Sequence, residues 1–127
     1  MKRKEKITGV LVDVKAGVAR KATINKSLDG YYSALNCGCI DIVSRRIGGQ
    51  GFDIVCYSKA LLYKNEPPSA FSANGEPVLF GNLFIANCNE EGVLFDLREG
   101  QTEHVLRHVC TIIGTSGDSV YLIPVEW

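Results

Sequence analysis

The chain has 127 residues, of which 46% are hydrophobic and 22% charged, so it has the composition of a folded domain and not of a disordered tail. Its 14 basic and 14 acidic residues balance, which argues against a nucleic-acid-binding protein and against an acidic DNA mimic. No segment approaches the roughly 20 apolar residues of a membrane-spanning helix, and the apolar run after MKRKEK is too short for an export signal. We therefore expect one cytoplasmic domain over residues 1–127 with a basic tail at residues 1–6, and neither a membrane nor a nucleic acid as partner.

Two β-hairpins are predicted in the first half of the chain. The segments ITGVLVDVK (7–15) and VARKATI (18–24) flank Ala16-Gly17, which is the length of a two-residue hairpin loop. The segments 39–47 and 52–58 surround Gly48-Gly49-Gln50-Gly51 in the same way. This glycine-rich stretch lacks the lysine and the Ser/Thr of a P-loop, so it is interpreted as a turn.

Two short helices are predicted. Leu28, Tyr31, Tyr32 and Leu35 have the spacing of one helical stripe, with Ser27 as N-cap and Gly38 as the stop. The segment QTEHVLRHVC (101–110) forms the second helix, capped by Thr102.

The remaining segments complete the predicted architecture. Residues 59–77 contain three prolines and little periodicity, so they are a candidate lid loop. Residues 80–97 indicate a strand, a turn and a strand, and residues 111–127 indicate two more strands around Ser116-Gly117-Asp118. The predicted fold class is α+β, with an antiparallel or mixed β-sheet of about six to eight strands and two short helices.

This order of elements, with GNLFIANCNEEGVLFDL and the helix QTEHVLRHV, resembles a domain-of-unknown-function family of bacteriophages and mobile elements of Gram-positive bacteria. The resemblance covers about residues 7–109. It implies the fold and a phage setting, with the host cytoplasm as location, and it carries no catalytic motif to transfer.

Metal and cofactor chemistry is not indicated. The cysteines are odd in number and scattered through apolar segments, which is typical of reduced buried thiols. Cys37 and Cys39 are the only closely spaced pair, and no second pair completes a zinc site. His104 and His108 have metal-binding spacing, but they lie opposite the apolar stripe of their helix and lack an obvious third ligand, so a solvated face is expected. No metal and no cofactor are predicted. The five cysteines are Cys37, Cys39, Cys56, Cys88 and Cys110.

Catalysis is equally unsupported by the sequence. The chain has no nucleophile-elbow motif, and both histidines lie on one helix. Asp41, Asp53 and Asp96 are spread over separate strands, where solvation is their expected role. No catalytic residue is predicted, and the protein is interpreted as a binder.

Three residue types in the chain suit a nucleotide ligand. The planar guanidinium of arginine donates paired hydrogen bonds to phosphate, aromatic rings stack on bases, and asparagine amides form hydrogen bonds with base edges or ribose. Each type also has a structural alternative, as surface charge, core packing or turn formation. The candidate ligand-binding residues are Arg45, Arg46, Tyr31, Tyr57, Phe80, Asn82 and Asn87.

Two functions fit these residues and the implied setting. The first is a phage counter-defence sponge that sequesters a nucleotide immune signal, of the cyclic ADP-ribose type or a cyclic dinucleotide, without cleaving it. The second is a protein-interaction module that blocks a host protein by docking, and a hydrolase of the same signal is a third alternative. A domain of this size has little room to enclose such a ligand, so a homo-oligomer, dimer or higher, is expected to share the site.

Overall fold

The computed structural model describes residues 5–14, 16–57, 68–88, 94–113 and 119–126. They form an α+β fold with mostly antiparallel sheets and two short helices, which confirms the predicted class. The main sheet has six strands, within the six to eight expected, and a second sheet of four strands brings the described total to ten. In order along the chain, the elements are β1 (Lys6–Asp13), β2 (Val18–Asn25), α1 (Leu28–Leu35), β3 (Ile40–Ile47), β4 (Gln50–Tyr57), β5 (Pro68–Phe71), β6 (Pro77–Phe80), β7 (Leu83–Cys88), β8 (Leu94–Phe95), α2 (Glu99–Arg107), β9 (Cys110–Ile113) and β10 (Ser119–Pro124).

The main sheet has the strand order β2-β1-β7-β4-β3, all antiparallel, and β8 pairs with β7. Both of its faces are covered, so its central strands are apolar on both sides. In β1, Val10 and Val12 point to one face, and Ile7 and Leu11 point to the other. This explains why the first strand is almost continuously hydrophobic in sequence.

Helix α1 covers one face of the main sheet. It begins as predicted, because the Ser27 side chain accepts a hydrogen bond from the Gly30 amide at 3.1 Å. It ends at Asn36, whose φ of 54° is left-handed, so the stop predicted at Gly38 comes two residues earlier. The buried side chains of Tyr31 and Leu35 anchor the helix to the sheet.

The opposite face packs against α2 and a smaller sheet of order β6-β5-β10-β9, in which β10 and β5 run parallel. Ala70, Val105 and Ile123 contribute fully buried side chains to this core. The two sheets are joined at one edge, because Arg46 and Glu126 exchange both backbone hydrogen bonds, at 2.8 and 2.7 Å. The core next to α2 is therefore wrapped by both sheets.

Two local predictions need correction. The second helix spans Glu99–Arg107 and not residues 101–110. Its N-cap is Arg98 and not Thr102, because the Gln101 side chain accepts a hydrogen bond from the Arg98 amide at 2.9 Å. Strand β5 lies inside the segment 59–77 that was predicted as a lid loop. Its proline, Pro68, occupies the first position of the strand, where a proline is tolerated.

The rest of the lid prediction, residues 59–67, lies outside the described residues. The predicted turn at residues 116–118 does so as well. Within the described part of the chain, neither helix has the length and apolar character needed to cross a bilayer.

Candidate ligand-binding site

Tyr31, one of the predicted ligand contacts, is a core residue. Its side chain is almost fully buried, and its ring centroid lies 6.2 Å from that of Phe84. Burial raises the pKa of the Tyr31 phenol above its ordinary value. The position of Tyr31 therefore supports a role in core packing and not in stacking on a base.

The two arginines point to opposite faces of the edge strand β3, as the alternation predicts. Arg45 is half-buried opposite Phe52, and its Nη1 donates to the Ser44 carbonyl at 2.8 Å. Arg46 is exposed, and its guanidinium lies 4.0 Å from the Glu126 carboxylate. Both arginines thus have partners within the protein.

The asparagines connect elements of the fold. The Asn82 side-chain oxygen accepts from the Val14 amide at 3.0 Å, at the end of the first hairpin. Asn87 donates to the Gln101 side chain at 3.0 Å and so ties β7 to α2. Phe80 and Tyr57 are half-buried at the ends of β6 and β4.

The register separates these candidates. Val55 pairs with Phe84, so Tyr57 and Asn82, which lie two residues further in each strand, are at the same end of the main sheet. Arg46 pairs with Gly51 at the other end of β4. The seven residues therefore do not converge on one place, and their role in ligand binding stays a prediction.

The two histidines are half-buried, so the expectation of a solvated helix face is wrong. His104 Nε2 donates to the Ile47 carbonyl at 2.8 Å, and His108 Nδ1 donates to the His104 carbonyl at 2.7 Å. Helix α2 docks on the Gly48-Gly49 turn, where φ is +56° and +86°. A Cβ at Gly48 would overlap the rings of both histidines, so only the absence of a side chain permits this contact. Among the described residues, no group of three His, Cys, Asp or Glu side chains can hold a metal.

A cleft of about 420 Å³ opens where β1 begins, and we call it the N-terminal cleft. Three segments build it: the start of β1, the end of β2, and the chain after β8. The third segment is held along β1, because the Asp96 carboxylate accepts from the Thr8 amide at 2.8 Å and the Leu97 amide donates to the Thr8 carbonyl at 2.9 Å. The lining residues are Glu5, Lys6, Ile7, Lys26, Phe95 and Asp96.

The cleft combines two lysines and two carboxylates with an exposed aromatic ring. The Lys26 ammonium lies 4.0 Å from the Glu5 carboxylate, while Lys6 has no ion pair within the described residues. The Phe95 side chain is on the solvent side of its strand, 37% exposed, between buried Leu94 and Leu97. Ammonium groups attract phosphate, an aromatic ring stacks on a base, and the Asp96 carboxylate can accept a hydrogen bond from a hydroxyl.

Sequence reasoning did not select Lys6, Lys26 or Phe95. The Leu-Phe-Asp-Leu run at residues 94–97 carries no clear signal, because Leu94 and Leu97 pack into the cores on opposite faces of the sheet and strand alternation alone does not show that Phe95 is exposed. Asp96 was interpreted as a solvated carboxylate, and it is exposed, but it also fixes the segment that carries Phe95.

Cys56 is expected to be the least reactive of the thiols described. Burial, helped by the nearby Asp41 carboxylate, raises the pKa of the Cys56 thiol to about 11. A rise of this size from 9.0 lowers the thiolate fraction of Cys56 at pH 8 about a hundredfold, and the side chain is also buried, so iodoacetamide should modify Cys56 much more slowly than half-buried Cys39. Peptide mapping by mass spectrometry measures both rates, with the urea-unfolded protein as control. Equal rates in the folded protein would contradict the assigned burial.

In comparisons with known proteins, the chain matches no family model, no curated protein and no solved structure.

Proposed function

We propose that the protein binds a phosphate-bearing nucleotide in the N-terminal cleft and holds it without cleaving it. The observation that carries this proposal is that Lys6 of β1 and Lys26, which directly follows β2, line the same cleft as an exposed phenylalanine ring. A ligand with a phosphate and a base matches both features, because the charges attract the phosphate and the ring stacks on the base. A purely apolar ligand would match only the phenylalanine ring, and a purely anionic ligand would match only the lysines.

The charge distribution along the chain supports an anionic ligand. The net charge of the whole chain is zero, yet Lys2, Arg3 and Lys4 directly precede Glu5 in sequence. The cleft thus lies within a few residues of the most basic segment of the chain. Such local positive charge raises the concentration of an anion near the site and speeds its capture.

The cleft supplies charge, stacking and hydrogen bonding, which are the requirements of binding. In the phage setting that the family resemblance implies, this binding would withdraw an immune signal from its receptor in the host cytoplasm. A cyclic ADP-ribose or a cyclic dinucleotide has the required phosphates and base. We also propose that the protein forms a homo-oligomer. The N-terminal cleft is open to solvent on one side, and a second copy of the chain would close that side.

Replacing Lys6 or Lys26 with alanine is expected to weaken nucleotide binding about tenfold each, because a charge-assisted hydrogen bond contributes about 1.5 kcal/mol or more. Calorimetry with cyclic ADP-ribose isomers and cyclic dinucleotides measures the affinities. Lys21→Ala is the matched control, because Lys21 is an exposed lysine of β2 that does not line the cleft, and it should bind like the parent.

The fate of the ligand separates the three functions. After incubation, the protein is heated and the released small molecules are analysed by chromatography. Intact ligand supports sequestration, and an altered ligand indicates a hydrolase. If the folded parent binds no nucleotide of the panel, the proposal is wrong and a docking module is favoured.

A further inference from the structure

A second cleft, of about 260 Å³, lies between the end of β2 and helix α1, and we call it the α1 cleft. Its walls approach closely because residue 30 is glycine: a Cβ there would overlap the backbone of Asn25. The helix thus lies directly against the end of β2, and the cleft follows the groove between them. Its lining includes Lys6, Thr23, Asn25, Gly30, Ser33 and Ala34.

The α1 cleft offers neutral hydrogen-bonding groups rather than charge. The Asn25 amide and the Ser33 hydroxyl are exposed, and neither side chain has a hydrogen-bond partner within the described ranges. The Thr23 hydroxyl is paired with the Thr8 hydroxyl at 2.8 Å. An amide presents a donor and an acceptor together, which suits the edge of a base, and hydroxyls suit a ribose.

Lys6 connects the two clefts, since it is the residue that lines both. It pairs with Asn25 in the first hairpin, so its strand position lies directly beside the α1 cleft. Its ammonium has no ion pair among the described side chains. A single unpaired positive charge thus lies between an aromatic, charged cleft and a neutral, polar one.

We propose that the two clefts form one bipartite site for a ligand with two nucleoside halves joined through phosphate. One base stacks on Phe95, Lys6 holds a phosphate that links the two nucleosides, and the second nucleoside enters the α1 cleft beside Asn25 and Ser33. This inference rests on the proposed function and narrows its ligand class from nucleotides in general to dinucleotides. A mononucleotide occupies only the N-terminal cleft.

Calorimetry with matched ligand pairs tests the bipartite site. The pairs are adenosine 5′-monophosphate with cyclic di-AMP and guanosine 5′-monophosphate with cyclic di-GMP. For at least one pair, the dinucleotide is expected to bind the parent at least tenfold more tightly than the mononucleotide. Ser33→Leu, which fills the α1 cleft, should abolish this advantage and leave the mononucleotide affinity unchanged.

Leu28→Ala is the matched control on the same helix, because Leu28 is 60% exposed and does not line the α1 cleft. Leu28→Ala should still bind the dinucleotide more tightly than the mononucleotide. Thermal unfolding of Ser33→Leu and Leu28→Ala checks that both variants are folded. Equal affinities within each pair, or a mononucleotide affinity that falls in Ser33→Leu, overturn the bipartite site and leave the proposed function standing. If neither member of any pair binds the parent, the bipartite site is wrong, and the proposed function is wrong as well if the parent also binds no cyclic ADP-ribose isomer.

Discussion

Replacing Gly9 with alanine is expected to lower the free energy of unfolding by about 3 kcal/mol, at the upper end of the usual cost of overpacking. Gly9 lies in β1, with strands on both sides. A Cβ at this position would overlap the Ile85 carbonyl oxygen of β7 and would lie 2.8 Å from the edge of the Phe84 ring. The carbonyl belongs to the backbone of the neighbouring strand, so relief requires a shift of the sheet and not of one side chain.

Urea unfolding of the parent and of Gly9→Ala measures this loss. Gly51→Ala is the matched control, because Gly51 also lies in a strand of the main sheet but a Cβ there would have nothing within 4 Å. Alanine at position 51 should be neutral or slightly stabilising, since it restricts the unfolded chain. Similar losses in the two variants would mean that strand propensity, and not the close approach at Gly9, sets the effect.

Replacing Phe84 with alanine is expected to cost about 3–5 kcal/mol, the usual range for truncating a buried phenylalanine. Phe84 is fully buried on the α1 face of the main sheet, where its ring contacts Tyr31 and covers Gly9. Its neighbours on both sides belong to paired strands, so they cannot collapse easily into the space that is left. Urea unfolding measures the loss.

Phe95→Ala provides the contrast. Phe95 is 37% exposed in the N-terminal cleft, so its truncation should cost less than half as much stability and should instead weaken ligand binding. Phe84→Ala should retain ligand affinity at temperatures where it is folded. The reverse result, with Phe95 setting stability and Phe84 setting affinity, would contradict the assigned positions.

The local parts of the fold follow from the sequence. The pairing of the first hairpin and helix α1 were predictable because alternation, the helical stripe and the Ser27 cap act within about ten residues. The predicted two-residue turn was wrong, since Asp13 pairs with Val18 and the turn is longer. The docking of His104 and His108 was not predictable in this way. Their environment depends on the Gly48 turn, which is distant in sequence, and helical periodicity carries no information about what packs on a helix.

The candidate site was less predictable still. Lys6 and Lys26 lie together at the open end of the predicted first hairpin, but Phe95 joins them only because Asp96, 88 residues after Thr8, binds the Thr8 amide. Composition and periodicity do not encode such long-range pairings. For Asn82, the residue type correctly indicated a polar contact, but its partner, the Val14 amide, is a backbone group that only the three-dimensional structure reveals.

The Arg46–Glu126 backbone pair also bears on how the protein is made. Strand β3 is an edge of the main sheet, and at Arg46 its hydrogen-bonding groups are satisfied by a residue eighty positions later in the chain. On the ribosome, the main sheet can assemble once β7 has emerged, but this edge position stays open until Glu126 has been synthesised. An open edge pairs readily with strands of other chains. The nascent chain is therefore the state in which β3 is most exposed to aggregation.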